Sequence, residues 1–529
     1  MGTDEDKTTS PMMQFRSSIS ICYSASTLFF AMCIALTFTS CAPPVRPPNI
    51  IYILADDLGS GDLSFGNPSA SVQTPNIDRL AEEGMRFTDA HSPSAVCTPT
   101  RYGILTGRYA WRSRLKSGVL VGVDSVLIEP DRKTVGHLLQ ENGYHTAVIG
   151  KWHLGLDWSK KAPSKALFEG GNKWATTRTN IDYSRSVTKG AREAGFDYSF
   201  VIPSSLDIMP YYYLENNEPV DGEDGFTEGK QQSDHGRGIF WRAGEMSPSF
   251  VHEDVLATFT EKAVSYITSR SESRQPFFLY LPLSAPHTPW LPTDSLNGSS
   301  NAGTYGDFVQ LVDRSVGQIL AIVDELEMAD NTIVIMTSDN GADWNEQDKE
   351  NFDHLANGEL RGRKADIWEA GHRIPFVARW PGKIPFGSRS DALVSLTDLM
   401  ATLANLLNAD LDENMGEDSM DMLPILLGEP TASSDRKAIV HHSLGGMFAI
   451  RRGDWKLILG RGSGGFTAPR RYSPEPGEPT GQLYDLVSDP SETTNLYLER
   501  GDLVAELTEL LDEYVISGRS NRTETAAQN

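Results

Sequence analysis

The feature that most constrains this chain is an alternation of short apolar runs with helical stretches. The runs are NIIYIL (49–54), HTAVIG (145–150), PFFLYLPL (276–283) and TIVIMTS (332–338). Each has the length of a strand and carries apolar residues on both alternating faces, so each must be covered on two sides. Between them lie TPNIDRLAEEG (74–84), TVGHLLQENG (134–143), EDVLATFTEKAVSYITSR (253–270) and FVQLVDRSVGQILAIVDELE (308–327). These read as helices, the first two closed by glycine and the first opened by a Thr-Pro pair. Such alternation predicts an α/β fold with a large, mostly parallel sheet sandwiched by helices. From about residue 430 the pattern changes. KAIVHHS, MFAIRRGDWKLIL and GQLYDL are closely spaced strand candidates, and LVAELTELLDEYVIS is a last helix. They predict a smaller C-terminal antiparallel sheet with a helix. The expected organisation is an N-terminal segment over 1–47, a catalytic domain over 48–430 and an α+β subdomain over 431–529.

Polar residues follow every run. They are Ala55-Asp56-Asp57, Lys151-Trp152-His153, Ser284-Ala285-Pro286-His287 and Asp339-Asn340-Gly341. In an open α/β sheet, ligands bind in the crevice beyond the carboxyl ends of the strands. One such ending is an ordinary turn; four of this composition point to a site. Asp56, Asp57, Asp339 and Asn340 offer only oxygen ligands. Their carboxylates would repel one another without a cation, and an all-oxygen set selects a hard one, Ca²⁺ or Mg²⁺, over Zn²⁺. Arg101, Lys151, His153, His287 and Lys364 supply the opposing charge. Cations and a metal around one pocket suit a tetrahedral oxyanion.

Cys97 belongs to the same group. The chain has four cysteines, and Cys22, Cys33 and Cys41 lie in or beside an N-terminal apolar run. Cys97 therefore has no disulfide partner in the body of the chain. In VCTPTRYGILTG, Thr98 suits a helix cap and Pro99 its first turn, which puts Cys97 at a helix N-terminus where backbone N–H groups attract anions. A thiolate would gain there, but beside carboxylates and a hard metal an oxygen nucleophile is better matched. Taken singly, Cys97 reads as a small buried hydrophobe, His287 as a loop histidine and Lys151 as a stem lying on Trp152. The ordered constellation outweighs those separate readings.

Bulk properties bound the partners. At 529 residues, 39% apolar and 22% charged, the chain has the make-up of a globular protein. A net charge of −24 excludes nucleic acid and an anionic membrane surface as partners. An anionic substrate would have to be drawn by a local cationic cluster. Residues 19–40 are apolar or small, with Arg16 before them, Cys41 after them and the tether-like APPVRPP beyond. This resembles a bacterial lipoprotein signal with Cys41 as the lipidated residue, although Phe38 stands where Leu is usual. A plain secretory signal cleaved near Ser40 or Ala42, or a retained anchor, are the alternatives. All three place the body outside the cytoplasm, as an outer-membrane or periplasmic lipoprotein or as a periplasmic or secreted protein. Membrane contact is expected only through a lipid on Cys41.

CTPTRYGILTG (97–107) resembles the C-x-P-x-R signature of the type I, formylglycine-dependent sulfatases of the alkaline-phosphatase superfamily. GYHTAVIGKWH (143–153) resembles their second signature, and the likeness runs from about Pro47 to LYDLVSDPSETTNL. Both signatures in order, with ADD before and SDNG after, are specific. The resemblance implies an arylsulfatase-like sulfuric ester hydrolase. It implies that a formylglycine-generating enzyme oxidises Cys97 during maturation, and that the hydrated aldehyde is the nucleophile. It also implies that Asp56, Asp57, Asp339 and Asn340, with residue 97, hold Ca²⁺. Arg101 would hold the residue-97 hydroxyl, Lys151 and Lys364 the sulfate oxygens. His287 would protonate the leaving oxygen, and His153 would orient the nucleophile or act as base. The usual pattern near Lys364 is RGGK and this chain has RGRK, so Arg361 or Arg363 are candidates to share its role.

The substrate expected is a sulfated carbohydrate, with aryl sulfates as a laboratory substrate. A phosphonate or phosphodiester hydrolase of the same superfamily, or a non-catalytic glycan-binding lipoprotein, are the alternatives. The segment 155–250 is irregular and rich in Gly, Ser, Tyr and charge, as expected of pocket-shaping loops. Trp158, Trp174, His235, Arg237 and Trp344 are its candidates, with the 341–344 turn, for touching a sugar.

Overall fold

The computed structural model describes residues 46–65, 67–169, 171–231, 238–429 and 436–521. The expected signal with Cys41, and the candidates His235 and Arg237, lie outside the described residues.

Ten strands form the main sheet. In chain order they are β1 (Asn49–Asp56), β2 (Met85–Phe87), β3 (His145–Lys151), β4 (Tyr198–Ile202), β5 (Leu214–Glu215), β6 (Glu218–Pro219), β7 (Phe277–Pro286), β8 (Thr332–Ser338), β9 (Phe376–Arg379) and β10 (Ser388–Ser390). Across the sheet the order is β10-β2-β9-β8-β1-β7-β3-β4-β5-β6. Neighbours from β8 to β4 are parallel, and antiparallel pairs extend the sheet on both sides. All eight residues of β1 are buried, as an apolar strand covered on two faces must be. Its register runs Ile51 against Leu279 on one side and against Val334 on the other.

Five longer helices matter for the site: α1 (Pro75–Glu82), α2 (Cys97–Thr106), α3 (Val135–Glu141), α4 (Val255–Arg270) and α5 (Gly303–Glu325). One group, α1, α4 and α5, packs together; α2 and α3 pack with the Leu399–Leu407 helix. In α5 the buried residues Val309, Val312, Val316, Ile319, Leu320 and Val323 recur at three- and four-residue spacing, which makes the apolar stripe of an amphipathic helix. Thr134 caps α3 with a reciprocal box in which His137 stands where Glu or Gln is usual.

The C-terminal pattern also folds as expected. Ile439–His442, Phe448–Arg452, Trp455–Ile458 and Gln482–Asp485 make a four-stranded antiparallel sheet. The Gly501–Ser517 helix covers it with Leu503, Leu507, Leu511 and Tyr514. Tyr109 and Trp111, from the segment after α2, enter the same apolar cluster. The small sheet is thus packed onto the main one, and the described residues from Pro47 onward form one compact unit.

The central strands admit little change at their carboxyl ends. Gly150 precedes Lys151 with φ of 138°, and a Cβ there would lie 1.9 Å from the Pro282 carbonyl oxygen of the neighbouring strand. Neither atom can yield, since one is strand backbone and the other would be fixed to it. Gly150→Ala is therefore expected to destabilise the protein by about 3 kcal/mol, read as a lowered midpoint in urea unfolding. A midpoint within error of wild type would count against this packing.

Candidate active site

The strands β8, β1, β7 and β3 are adjacent and parallel, so their carboxyl ends form one continuous edge. At that edge stand Asp339, Asp56 with Asp57, His287, and Lys151 with His153, in that order. All four polar endings read from the sequence therefore meet. Two departures from regular geometry aim them. Between Leu54 and Asp56 the register against β7 slips, so that Leu54 pairs with Pro282 but Asp56 with Pro286; bulges of this kind redirect side chains beside active sites. Asp57 and His153 both adopt positive φ, 68° and 54°, a cost that persists only where surrounding contacts impose it.

Cys97 arrives from α2. The helix begins at Cys97 itself, two residues earlier than the Thr-Pro signal predicts, with Val96 in the extended cap position. The Thr98 hydroxyl instead accepts a bond from Leu120 N–H at 3.2 Å. Cys97 is a buried free thiol. Burial pushes its pKa up despite Lys151 and Lys364, so the unmodified thiol stays protonated and a poor nucleophile at neutral pH.

Three carboxylates and three cations pair off in this space. Lys151 Nζ donates to Asp56 at 2.5 Å, and Lys364 Nζ to Asp57 at 2.7 Å. Arg101 donates to Asp339 through Nε and NH2, at 3.0 and 2.7 Å, and its NH1 to the Lys151 carbonyl at 2.7 Å. Burial alone would raise the Asp56 pKa, but Lys151, His287, Arg101 and Lys364 outweigh it and hold that carboxyl far below its ordinary range. Asp339 goes the other way: burial and the Asp56 charge push it up to about 7.

The pairing leaves acceptors over. Asp56 Oδ1 and Asn340 Oδ1 are buried with no hydrogen-bond partner. Asn340 Nδ2 donates to Asp57 Oδ1 at 2.7 Å, which leaves its own oxygen facing the cluster. Ligand atoms of Asp56, Cys97 and Asp339 lie within 4.8 Å of one another, as do those of Asp56, Asp57 and His287. Orphaned oxygens in a buried carboxylate cluster fit a hard cation and not a proton donor. Asp56, Asp57, Asp339, Asn340 and residue 97 are the residues that would hold it.

The two histidines face the site with opposite ring atoms. His153 Nε2 lies 2.8 Å from the Leu120 carbonyl, so it carries the proton, and Nδ1 is a buried acceptor without a partner. Burial, with Lys151 and Arg101 nearby, lowers its pKa well below the usual histidine value. His287 is the reverse: Nδ1 lies 2.7 Å from the Thr288 carbonyl and is the donor there, leaving Nε2 toward Asp57 at 3.8 Å.

The remaining candidates sort clearly. Arg363 pairs with Asp343 at 2.6 Å, and Arg361 stacks on Trp368 and binds the Glu492 carbonyl, so Lys364 alone of the three reaches the carboxylate cluster. Trp158 and Trp344 are buried and donate to the Gly122 and His354 carbonyls. They are core, which corrects their reading as sugar contacts. Trp174 is 42% exposed and lines the cavity. That cavity, about 660 Å³, opens over Asp57, Cys97, His153, His287 and Lys364. Sequence reading missed its outer wall, which includes Asp207, Phe240, Arg242 and Phe466. These residues come from loops with no periodic pattern, and nothing in the chain ties them to a particular strand end.

With this geometry in place, comparison with known proteins decides the family. Residues 48–409 match the model of the sulfatase family. The chain belongs to that family. It is 38% identical over 503 residues to the N-acetylgalactosamine-6-O-sulfatase of Bacteroides thetaiotaomicron, an alignment covering 88% of this chain and 93% of the relative. It is 32% identical to arylsulfatase A of Homo sapiens, covering 85% and 83% respectively. A solved structure from work on glycosaminoglycan metabolism by Bacteroides thetaiotaomicron superposes with a TM-score of 0.75 at 36% identity, over 88% of this chain and 99% of that one. This sulfatase is a sulfuric ester hydrolase with the large, mostly parallel α/β sheet expected from its strand pattern.

A cation in the carboxylate cluster would compete with a proton on Asp339. Without one, the raised Asp339 pKa means that the folded state holds a proton the unfolded state has lost, so this group's contribution to stability falls as pH rises from about 4 to about 7. Ca²⁺ needs the deprotonated form. The Ca²⁺-induced rise in Tm over chelated protein should therefore be small near pH 5, grow up to about pH 7 and level off above it. A shift independent of pH across that range would exclude Asp339 as a ligand.

Proposed function

We propose that this sulfatase removes sulfate from a 6-O-sulfated N-acetylgalactosamine unit of a sulfated glycan, using a formylglycine made from Cys97 and a bound Ca²⁺. The observation that carries the substrate class is the 38% identity to an N-acetylgalactosamine-6-O-sulfatase along nearly its whole length. The buried carboxylate cluster with orphaned oxygens supports the cation, and Cys97 at the amino end of α2, beside that cluster, supports the modification.

When bound, Ca²⁺ supplies charge neutralisation and polarises the sulfate ester, while formylglycine at residue 97 supplies an oxygen nucleophile. The protein's own residues do the rest. Lys151 and Lys364 hold sulfate oxygens and balance the charge that grows in the transition state. Arg101 directs its donors to Asp339 and to the Lys151 carbonyl, so it fixes a cation ligand and a strand end beside residue 97. His287 keeps Nδ1–H on the Thr288 carbonyl and, in its doubly protonated form, gives the Nε2 proton to the leaving alcohol oxygen. His153, neutral and with a free Nδ1, takes a proton from the residue-97 hydroxyl as sulfate is released.

The N-terminal run and Cys41 support export, with a lipid on Cys41 as the membrane tether and a formylglycine-generating enzyme as the maturation partner. No helix among the described residues is long and apolar enough to cross a membrane.

Three measurements check this. Free-sulfate release from defined sulfated monosaccharides should be fastest with N-acetylgalactosamine 6-sulfate and should exceed the hydrolysis of aryl phosphodiesters; the reverse order would overturn the assignment. Mass spectrometry of the peptide containing residue 97 should find the aldehyde and its hydrate, and only unmodified thiol in active enzyme would sink the nucleophile. Replacement of His287 by Ala should slow alkyl sulfates about 10²–10⁴-fold and aryl sulfates with good leaving groups much less, because only the former need a proton on the departing oxygen.

A further inference from the structure

The cavity floor is charged, but its outer wall is built differently. Asp207 lies in the turn that follows β4 and lines the cavity while only 6% exposed. Arg242 holds its Oδ2 and also donates to the Asp207 backbone carbonyl at 3.0 Å. The other carboxylate oxygen, Oδ1, is buried without a hydrogen-bond partner. The frame around this pair is tied down: Tyr211 N–H donates to the Glu245 carbonyl at 2.9 Å, and the Tyr211 hydroxyl to the Arg242 carbonyl at 2.8 Å. The Arg242 guanidinium carbon lies 5.6 Å from the Trp174 ring centre and 5.4 Å from that of Phe240. A carboxylate with a spare oxygen thus sits beside a half-exposed indole.

Charge on this wall separates the ligands it suits. Among the described residues, its two cations each face a carboxylate: Lys173 pairs with Asp124 and Arg242 with Asp207. Neither is left over for a second anion. An unpartnered carboxylate oxygen repels a uronate or a second sulfate, and it accepts a hydroxyl or an amide N–H. Leaving that oxygen unmade in a bound complex would cost the desolvation of the group.

We propose that the outer wall is a subsite for the uncharged part of the sulfated sugar. In it Asp207 accepts a hydrogen bond from a ring hydroxyl or acetamido N–H, Arg242 fixes the carboxylate, and the Trp174 ring covers the C–H face of the sugar. Asp207 is then a specificity-determining residue, and sugars carrying a second negative group at that position are rejected. This rests on the reading of the enzyme as a sugar sulfatase.

The test compares wild-type and Asp207→Asn enzyme, reading kcat/KM on N-acetylgalactosamine 6-sulfate divided by kcat/KM on an aryl sulfate. Asparagine keeps the shape and puts an N–H₂ or an uncharged oxygen where the carboxylate stood. The ratio is expected to fall at least tenfold, as it does when a polar partner is removed from a site built to bind a donor. It should fall in the same direction in Trp174→Ala. A second measurement needs no variant: wild-type enzyme on deoxy analogues of the same sugar should lose a comparable factor with one analogue, and on the 4,6-disulfate should be slower than on the 6-sulfate. Equal losses on both substrates in Asp207→Asn, or indifference of the wild type across the analogues, would overturn the subsite alone. A wild type that hydrolyses aryl sulfate but no sulfated sugar would overturn the proposed function, and the subsite with it.

Discussion

Three carboxylates, Asp56, Asp57 and Asp339, are buried together at one sheet edge, and the surrounding structure is organised by the cost of keeping them there. Each is charged in water and would repel the others in a dry site. Lys151, Lys364 and Arg101 answer them one for one. Such pairs do not make the fold stable by themselves, because the desolvation of six charges offsets most of their attraction. Their consequence is positional. Lys151 and Arg101 are each fixed by a carboxylate from a different strand, so the strand ends, α2 and the cationic groups are locked into a single arrangement. A divalent cation taken up among the oxygens would loosen the lysines from their carboxylates and leave them available to an anion from outside. The same charges would then fix positions in the resting protein and serve recognition when substrate is present.

The same economy of elements shows in how the histidines are used. His153 and His287 each give one ring nitrogen to a neighbouring carbonyl, which sets the tautomer and leaves the opposite nitrogen toward the site. Each is thereby left with its other ring nitrogen facing the site, Nδ1 in His153 and Nε2 in His287. A second set of buried histidines, His91, His372 and His441, has a different character. The His372 and His441 rings stack at 3.8 Å, and Asp89, Glu369, Arg451 and Lys456 surround the group. Ring nitrogens of the three lie within 4.8 Å of one another, and the cluster packs His441 of the small sheet against His91 and His372.

Much of this was legible in the sequence because it rests on local pattern. The four central strands are apolar throughout and end in polar groups, and a parallel sheet brings those ends together without further information. What escaped had a physical reason. YSFVI (198–202) is the fifth parallel strand, yet it is short and preceded by polar residues, so it looked like loop. The outer strands Met85–Phe87 and Phe376–Arg379 are three and four residues long and pair antiparallel, which no periodicity announces. Trp158 and Trp344 looked like surface aromatics because loop composition surrounds them; burial there is decided by distant partners, Tyr183, itself stacked on Tyr212, in one case and Tyr305 and Trp290 in the other. Asp207 and Arg242 lie 35 positions apart and meet only through the tertiary crossing of two loops.

The small C-terminal sheet has a part in the site that its separate pattern conceals. Asp366, two residues beyond Lys364, accepts bonds from the backbone N–H of Phe466 and of Thr467 and from the Thr467 hydroxyl. Phe466 and Leu444 thereby reach the cavity lining. Ala365, between Lys364 and Asp366, has φ of 77°, and its N–H donates to the Ala95 carbonyl at 2.7 Å, two residues before Cys97. A single turn therefore couples the Cys97 segment, Lys364 and the loop that delivers Phe466. Loss of the small sheet would free that turn as well as one wall of the cavity, so the C-terminal strands are part of the catalytic unit and not an appendage to it.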